Sequence, residues 1–519
     1  VGVEPLQTDV ALEAERDGAS ALDLRPFLVA LSGVGALVVV AQRLWVAQGE
    51  PLWLDETWTA AIVSTPDWRS FWREAWLDVN APAYYLVMRL WTSVFGVSNL
   101  ALKLPGIMAV AAAAAVPLAL RARGLSREAC VAWAALLFFW WRVDFFLDAR
   151  CYGLLLAVST LQCVLFARLL TTPSRRRALA WCATAALAIL TQYYAILVFA
   201  AQGLVFLAVH RGRALRCWPA GLALLPAAGW IAWHAPRIAA YADPSLAWHP
   251  AVDAAQALSC AGFTISPAGA AVVGAIGLVL AAGAAVPRLL RRPERDEAPE
   301  PAAALWWTAA AAAAAVVIAL ALGVWRESLT ARYLIPATPS ILLGIVLCAR
   351  ASRRAHMAYL GLAAIYLAAA IHPAVAAAAR PDRSVYGSQT ASELLMRQGV
   401  GDVVFIWDHE AARIIDPESL RRVGSVFFRR QGYPATVTPL VVRPDSDVSR
   451  MALSAARGAR PGIIWLFNRA GRTAFALQAP QIAELDPRWT CRELSDGVVG
   501  ALACYRRDGP EPLSLRPRV

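Results

Sequence analysis

Phe27-Leu-Val-Ala-Leu-Ser-Gly-Val-Gly-Ala-Leu-Val-Val-Val-Ala-Gln-Arg-Leu-Trp-Val46 is followed closely by Leu52-Trp-Leu-Asp55-Glu56-Thr57, and these two segments decide the architecture. The first has the length, about 20 predominantly apolar residues, that a helix needs to span a bilayer. The second puts two adjacent carboxylates just beyond it, a costly arrangement at a membrane surface unless they are solvated or paired. Further apolar runs lie near 100–120, 128–142, 151–169, 178–191, 193–209, 217–234, 267–286, 303–324, 333–348 and 355–371. Between 178 and 209 only Gln192, Tyr193 and Tyr194 mark a turn. The expectation is a polytopic α-helical membrane protein of about 11 transmembrane helices, built over 25–372 after a polar, acidic cytoplasmic tail over 1–24.

Composition agrees. Of 519 residues, 59% are hydrophobic and 17% charged, with a mean hydropathy of +0.50, whereas soluble proteins carry nearer 25% charged residues. A soluble enzyme of several domains is excluded. The net charge of +12 would suggest nucleic acid in a soluble chain, but arginine accumulates in short cytoplasmic loops of membrane proteins. Taken from a cytoplasmic N-terminus, alternate loops are indeed basic: Arg121, Arg123 and Arg127; Arg168 and Arg175 to Arg177; Arg211, Arg213 and Arg216; Arg288 to Arg295; Arg350, Arg353 and Arg354. This pattern implies an odd number of spans and no nucleic-acid partner. Lys103 is the one lysine in the chain.

The loop 47–99 lies on the opposite, external side. In Asp67-Trp-Arg-Ser-Phe-Trp-Arg-Glu-Ala-Trp-Leu-Asp78, residues Trp68, Phe71, Trp72, Ala75 and Trp76 share one helical face. That pattern predicts an amphipathic helix lying in the membrane interface with its aromatic face toward lipid; packing on the protein's own spans is the alternative. A second amphipathic stretch, Asn80 to Trp91, follows. Asp55 reads either as the N-cap of a helix over Thr57 to Val63 or as a functional acid beside Glu56. Asp144 and Asp148, four apart, share a face if helical, and Asp148 either pairs with Arg150 or serves the site.

From about 373 the helix-length runs stop. Short β-like stretches, Asp402 to Trp407 and Gly462 to Phe467, alternate with helical segments such as 448–457, which predicts an external C-terminal α/β domain over 373–519. It shows no nucleophile elbow, phosphate-binding glycine loop or metal-ligand spacing. Cys491 and Cys504 flank Ser495-Asp496-Gly497 and are candidates for a hairpin disulfide in an oxidising compartment.

Six motifs occur in one order: Asp55-Glu56, Pro82-Ala-Tyr84-Tyr85, Leu100-Ala-Leu-Lys103-Leu-Pro105, Asp148-Ala-Arg150-Cys-Tyr152, Thr191-Gln-Tyr193-Tyr194 and Arg332-Tyr333-Leu-Ile-Pro336. Over roughly residues 27–350 the chain thereby resembles the GT-C glycosyltransferases of the protein O-mannosyltransferase and lipid A aminoarabinose transferase type. The resemblance implies a multi-pass enzyme of the bacterial inner membrane. Such an enzyme takes a sugar from a polyprenyl-phosphate donor and passes it, outside the cytoplasm, to a lipid, glycan or protein acceptor. It also implies that Asp55 is the catalytic residue. Four positions depart from the family pattern: Asn80-Ala81 stands where His-Pro is frequent, Asp148 where Glu is common, and Gln192 where His is frequent.

The chemistry asks for the same groups. An acceptor hydroxyl must lose a proton as the glycosidic bond forms, which a carboxylate within hydrogen-bond reach can take; Asp55 is the candidate, with Glu56 orienting it, binding sugar or simply solvated. Preorganised cations stabilise the departing phosphate, and Lys103, Arg150, Arg332 and Arg326 are candidates. Lys103, about one turn inside its span, either binds phosphate or snorkels to the head groups. Asp148, Tyr84, Tyr85, Tyr152, Tyr193, Tyr194 and Tyr333 are candidate substrate contacts, although tyrosines at this depth also serve as membrane-interface residues. A divalent cation bridging Asp55 and Asp148 to the phosphate is left open. A lipid-linked-substrate transporter, for which internal repeats would be expected, and a non-catalytic scaffold are the readings of other classes.

Overall fold

The computed structural model describes residues 23–49, 51–120, 124–140, 148–242, 252–265, 299–326, 329–352, 354–378, 387–408, 414–442, 447–468, 481–495 and 499–506. Helices answer the apolar runs. They are α1 (Arg25–Gly49), α5 (Asn99–Leu120), α6 (Arg127–Phe139), α7 (Tyr152–Thr171), α8 (Arg175–Thr191), α9 (Ala195–His210), α10 (Leu225–Tyr241), α12 (Pro301–Arg326), α13 (Thr338–Arg350) and α14 (Ala355–Ala378), with the shorter α11 (Ala254–Phe263) between α10 and α12. Among the described residues, six helical stretches are long and apolar enough to cross a membrane; the predicted run 267–286 lies outside those residues. The turn expected at Gln192 to Tyr194 is present, since α8 ends at Thr191 and α9 begins at Ala195. A 3₁₀ stretch, Arg211–Leu224, separates α9 from α10.

Close approach positions the helices that matter most. A Cβ on Gly153 of α7 would stand 2.7 Å from the Gly106 carbonyl oxygen of α5. Two glycines therefore let these backbones meet, as small residues do at membrane helix contacts. This crossing sets Lys103, one turn before Gly106, beside the Ala149–Tyr152 segment that opens α7.

The loop after α1 folds into three short helices, α2 (Leu54–Val63), α3 (Trp68–Leu77) and α4 (Ala83–Phe95). Asp67 caps α3, accepting from Ser70 N at 2.8 Å. Asp55 does not cap α2. Trp53 occupies the N-cap, and Glu56 at the third helical position accepts from Trp53 N at 2.9 Å. The expected lipid-facing aromatic stripe of α3 is divided: Trp68 and Trp72 are exposed, whereas Phe71, Glu74 and Ala75 are buried against protein. Glu74 turns inward because Arg422 lies 3.4 Å from its Oε1 and Ser419 donates to its Oε2 at 2.6 Å.

The C-terminal segment carries a five-stranded sheet ordered β2-β1-β3-β5-β4, from β1 (Asp402–Asp408), β2 (Thr436–Leu440), β3 (Pro461–Asn468), β4 (Trp489–Ser495) and β5 (Val499–Arg506). The two stretches read as strands from sequence, in β1 and β3, are its centre, paired in parallel with Val404 opposite Ile463. Alternation sorts their side chains. Val403, Phe405 and Trp407 face the cluster shared with the helical body, and Val404 and Ile406 face a second cluster. Trp407 meets Trp58 of α2 edge-on at 5.6 Å between ring centroids. Cys491 and Cys504 are register partners in the β4–β5 hairpin and form a disulfide.

The helix ends sort by charge. Arg25 pairs with Glu128 at 2.9 Å, Arg175 donates to the Arg216 carbonyl at 3.2 Å, Arg168 donates to the Leu120 carbonyl and Arg350 to that of Gly124. Loops expected on the cytoplasmic side thus gather at one end of the helical body. The acidic loop and the sheet occupy the other.

Candidate active site

The first turn of α2 holds Asp55 and Glu56 side by side, and helix geometry sends them in different directions, about 100° apart. Glu56 goes inward. Its Oε1 accepts from Ala149 N at 2.7 Å, its Oε2 accepts from Trp53 N, and Lys103 Nζ lies 3.8 Å from Oε1. Both side chains are 1% exposed. A buried carboxylate is tolerated only when paired and hydrogen-bonded, and Glu56 is both. Glu56 is therefore not solvated: this carboxylate fastens the start of α7 to the start of α2. Lys103 does not snorkel outward: its side chain is enclosed, with its ammonium beside the Glu56 carboxylate.

Asp55 stays at the surface of the cluster, its side chain 26% exposed. Two guanidiniums face its Oδ2, Arg332 NH1 at 3.5 Å and Arg150 NH2 at 3.9 Å. Arg150 NH1 also donates to the Asp55 backbone carbonyl at 3.3 Å and lies 3.5 Å from the Tyr85 hydroxyl. Its Nε is buried with no hydrogen-bond partner among the described residues. Arg332 comes from the 3₁₀ turn Ala331–Ala337, whose backbone Gln192 reaches by donating to the Arg332 carbonyl at 3.4 Å. Two positive groups thus face the Asp55 carboxylate.

Asp78, at the end of α3, is a member of the cluster that sequence reasoning did not single out. It accepts a short hydrogen bond from the Tyr85 hydroxyl and one at 3.1 Å from Asn80 Nδ2. Burial, and then the Asp78 charge, push the Tyr85 phenol well above its ordinary pKa, so it remains a donor. Asn80, which departs from the family pattern, orients Asp78. Tyr84 is buried beside Tyr85, with ring centroids 6.0 Å apart, and Tyr152, also buried, opens α7.

The remaining predicted residues are placed differently. Asp148 lies in a bend, not on a helix, and its carbonyl accepts from Arg150 N at 2.7 Å; Asp144 falls outside the described residues. Tyr193 belongs to an aromatic cluster: its hydroxyl accepts from Trp230 Nε1 at 2.9 Å and lies 2.7 Å from His234 Nδ1. His234 is fully buried and its Nε2 is 2.8 Å from the Trp76 carbonyl; nothing in the sequence signalled it. Tyr194 stacks on Tyr333 at 4.6 Å. Arg326 is not brought to Asp55. It ends α12 exposed, its guanidinium 4.5 Å above the Trp325 ring, because the helix carries it to the surface. No group of three or more His, Cys, Asp or Glu suited to a metal is present among the described residues.

No family model matches the chain, and no curated protein matches it in sequence. Two solved structures match nearly its whole length. The apo structure of ArnT from Cupriavidus metallidurans covers 93% of this chain and 99% of that chain, with a TM-score of 0.53 and 13% identity. The structure of the same protein bound to undecaprenyl phosphate covers 92% and 99%, with a TM-score of 0.51 and 13% identity. Arabinosyltransferase EmbB from Mycobacterium smegmatis overlaps 62% of this chain and 30% of that chain, with a TM-score of 0.37 and 17% identity. The chain shares the fold of the ArnT structures.

Proposed function

We propose that the protein is a membrane glycosyltransferase that moves a sugar from a polyprenyl-phosphate donor to an acceptor on the extracytoplasmic side. The observation that carries this reading is the Asp55 carboxylate, partly open to solvent and faced by Arg150 and Arg332. The fold is shared with a protein solved with undecaprenyl phosphate, and helices apolar enough to cross a membrane suit a lipid-linked donor.

In this reaction the acceptor oxygen forms a bond to the anomeric carbon as the bond from that carbon to the phosphate oxygen breaks. The electron pair leaves with the phosphate, and Arg150 and Arg332 stabilise the charge. Asp55 takes the acceptor proton if the acceptor is a hydroxyl; an acceptor phosphate arrives ionised and needs no base. Glu56, Lys103, Asp78 and Tyr85 hold this geometry from beneath. Hexose and pentose donors, and lipid, glycan and protein acceptors, are all compatible with it.

The test uses the purified full chain with labelled polyprenyl-phosphate sugars and a panel of lipid A, glycan and protein acceptors. Release of polyprenyl phosphate should require both donor and acceptor. With a hydroxyl acceptor, Asp55→Asn should reduce it by about 10²–10⁴-fold, the range for loss of a positioned acid or base, with an unchanged melting profile. Turnover equal to the parent protein in that variant would remove Asp55 from the reaction.

A further inference from the structure

A second cavity lies at the far end of α2 from Asp55, roughly 13 Å along the helix at 1.5 Å per residue. Its volume is about 300 Å³, and Ser64, Trp68, Arg89, Leu90, Thr92 and Ser93 line it. None of these residues belongs to the Asp55 cluster.

Arg89 is the charged group of this wall. One of its N–H groups donates to the Val63 carbonyl at 2.6 Å, capping the end of α2, and its guanidinium stands 5.7 Å from the Trp68 ring centre. A guanidinium has five N–H donors in a fixed fork, and capping one carbonyl leaves donors for an anion. The hydroxyls have the opposite character. Ser64, Ser93 and Thr92 donate to the carbonyls of Ala60, Leu90 and Arg89 at 2.6, 2.7 and 3.3 Å. Their protons are used within their own helices, so their oxygens face a ligand as acceptors. Beside the cavity, Val87, Leu90 and Val94 are 42%, 55% and 73% exposed. Their i, i+3, i+7 spacing makes them one apolar stripe along α4.

We propose that this cavity binds the head group of an anionic phospholipid whose head carries a free hydroxyl, of which phosphatidylglycerol is the example. The phosphate lies on Arg89, the glycerol hydroxyls donate to the serine oxygens, and an acyl chain follows Val87, Leu90 and Val94. The choice follows from the donor inventory and the charge of the wall: a choline head has no N–H or O–H to offer the serines, and an ethanolamine ammonium would stand beside the Arg89 guanidinium. Occupancy would tie the external loop carrying Asp55 to the membrane surface.

The test titrates the detergent-purified full chain with phosphatidylglycerol, phosphatidylcholine and undecaprenyl phosphate, with bound lipid read by native mass spectrometry. The parent protein should retain phosphatidylglycerol over phosphatidylcholine. Arg89→Gln should weaken that retention about tenfold, the scale of one charge-assisted hydrogen bond. Ser93→Leu, which fills the cavity and leaves the Arg89 to Val63 bond intact, should weaken it comparably. Thermal unfolding checks that each variant is folded, and if Arg89→Gln is not, Ser93→Leu decides. Equal retention of the two phospholipids, or binding unchanged in both variants, would overturn the proposal. Loss in Arg89→Gln alone would overturn the cavity as the site, and undecaprenyl phosphate binding that falls in both variants while phosphatidylglycerol binding does not would overturn the phospholipid assignment.

Discussion

Arginine does different work at the two ends of the helical body. At the basic end Arg25 is 60% exposed beside Glu128, and Arg177 donates to the Thr172 carbonyl at 2.6 Å. Such pairs are solvated and individually contribute little, about 0–1 kcal/mol. At the acidic-loop end the Arg150 and Arg332 side chains are 9% and 14% exposed and converge on Asp55. There the guanidiniums have given up most of their water, and their charge is available only to what enters the site. The same residue type thus caps carbonyls in solvent at one end and is buried against a carboxylate at the other, and burial makes the difference.

Three substitutions break or sharpen this contrast. Arg150→Gln is expected to have the largest effect, a fall of about 10²–10³-fold in donor-dependent turnover, the scale for losing one preorganised charge-stabilising group. Steady-state kinetics with varied donor measure it, and a variant as active as the parent would mean that buried charge at Asp55 is structural. Glu56→Gln comes next. Removing one member of a buried ion pair costs about 3–5 kcal/mol, so this variant should unfold earlier in detergent. Combining it with Lys103→Met should recover part of the loss, since no buried charge is then left alone; a double variant no better than the single would disprove the pairing. Arg25→Gln should change stability by less than about 1 kcal/mol and leave turnover unaltered. A large loss there would erase the distinction between the two ends.

The site was legible in parts. Asp55, Arg150 and Arg332 stood out because acids and cations beside long apolar runs are costly and therefore conspicuous. Glu56 and Lys103 were equally conspicuous, yet sequence could not show that each explains the other: they are 47 positions apart and meet only because Gly106 and Gly153 let α5 and α7 touch. Asp78 was seen only as the last acid of an amphipathic helix. Its place depends on Tyr85 from the next helix, a contact that neither periodicity nor composition encodes. The split face of α3 has the same origin, because Ser419 and Arg422, more than 340 positions away, draw Glu74 inward.

The sequence by itself determined that the chain is a polytopic helical protein with basic loops gathered on one side and a strand-bearing C-terminal segment. Those properties are sums over local residues: apolar length, arginine placement and strand alternation. The tertiary structure decided which carboxylate is buried and which is open, which cation supports the site and which faces it, and where the third acid lies. Those are properties of pairs distant in the chain, set by helix crossings and by burial, which changes the energy of a charge far more than its neighbours in sequence do.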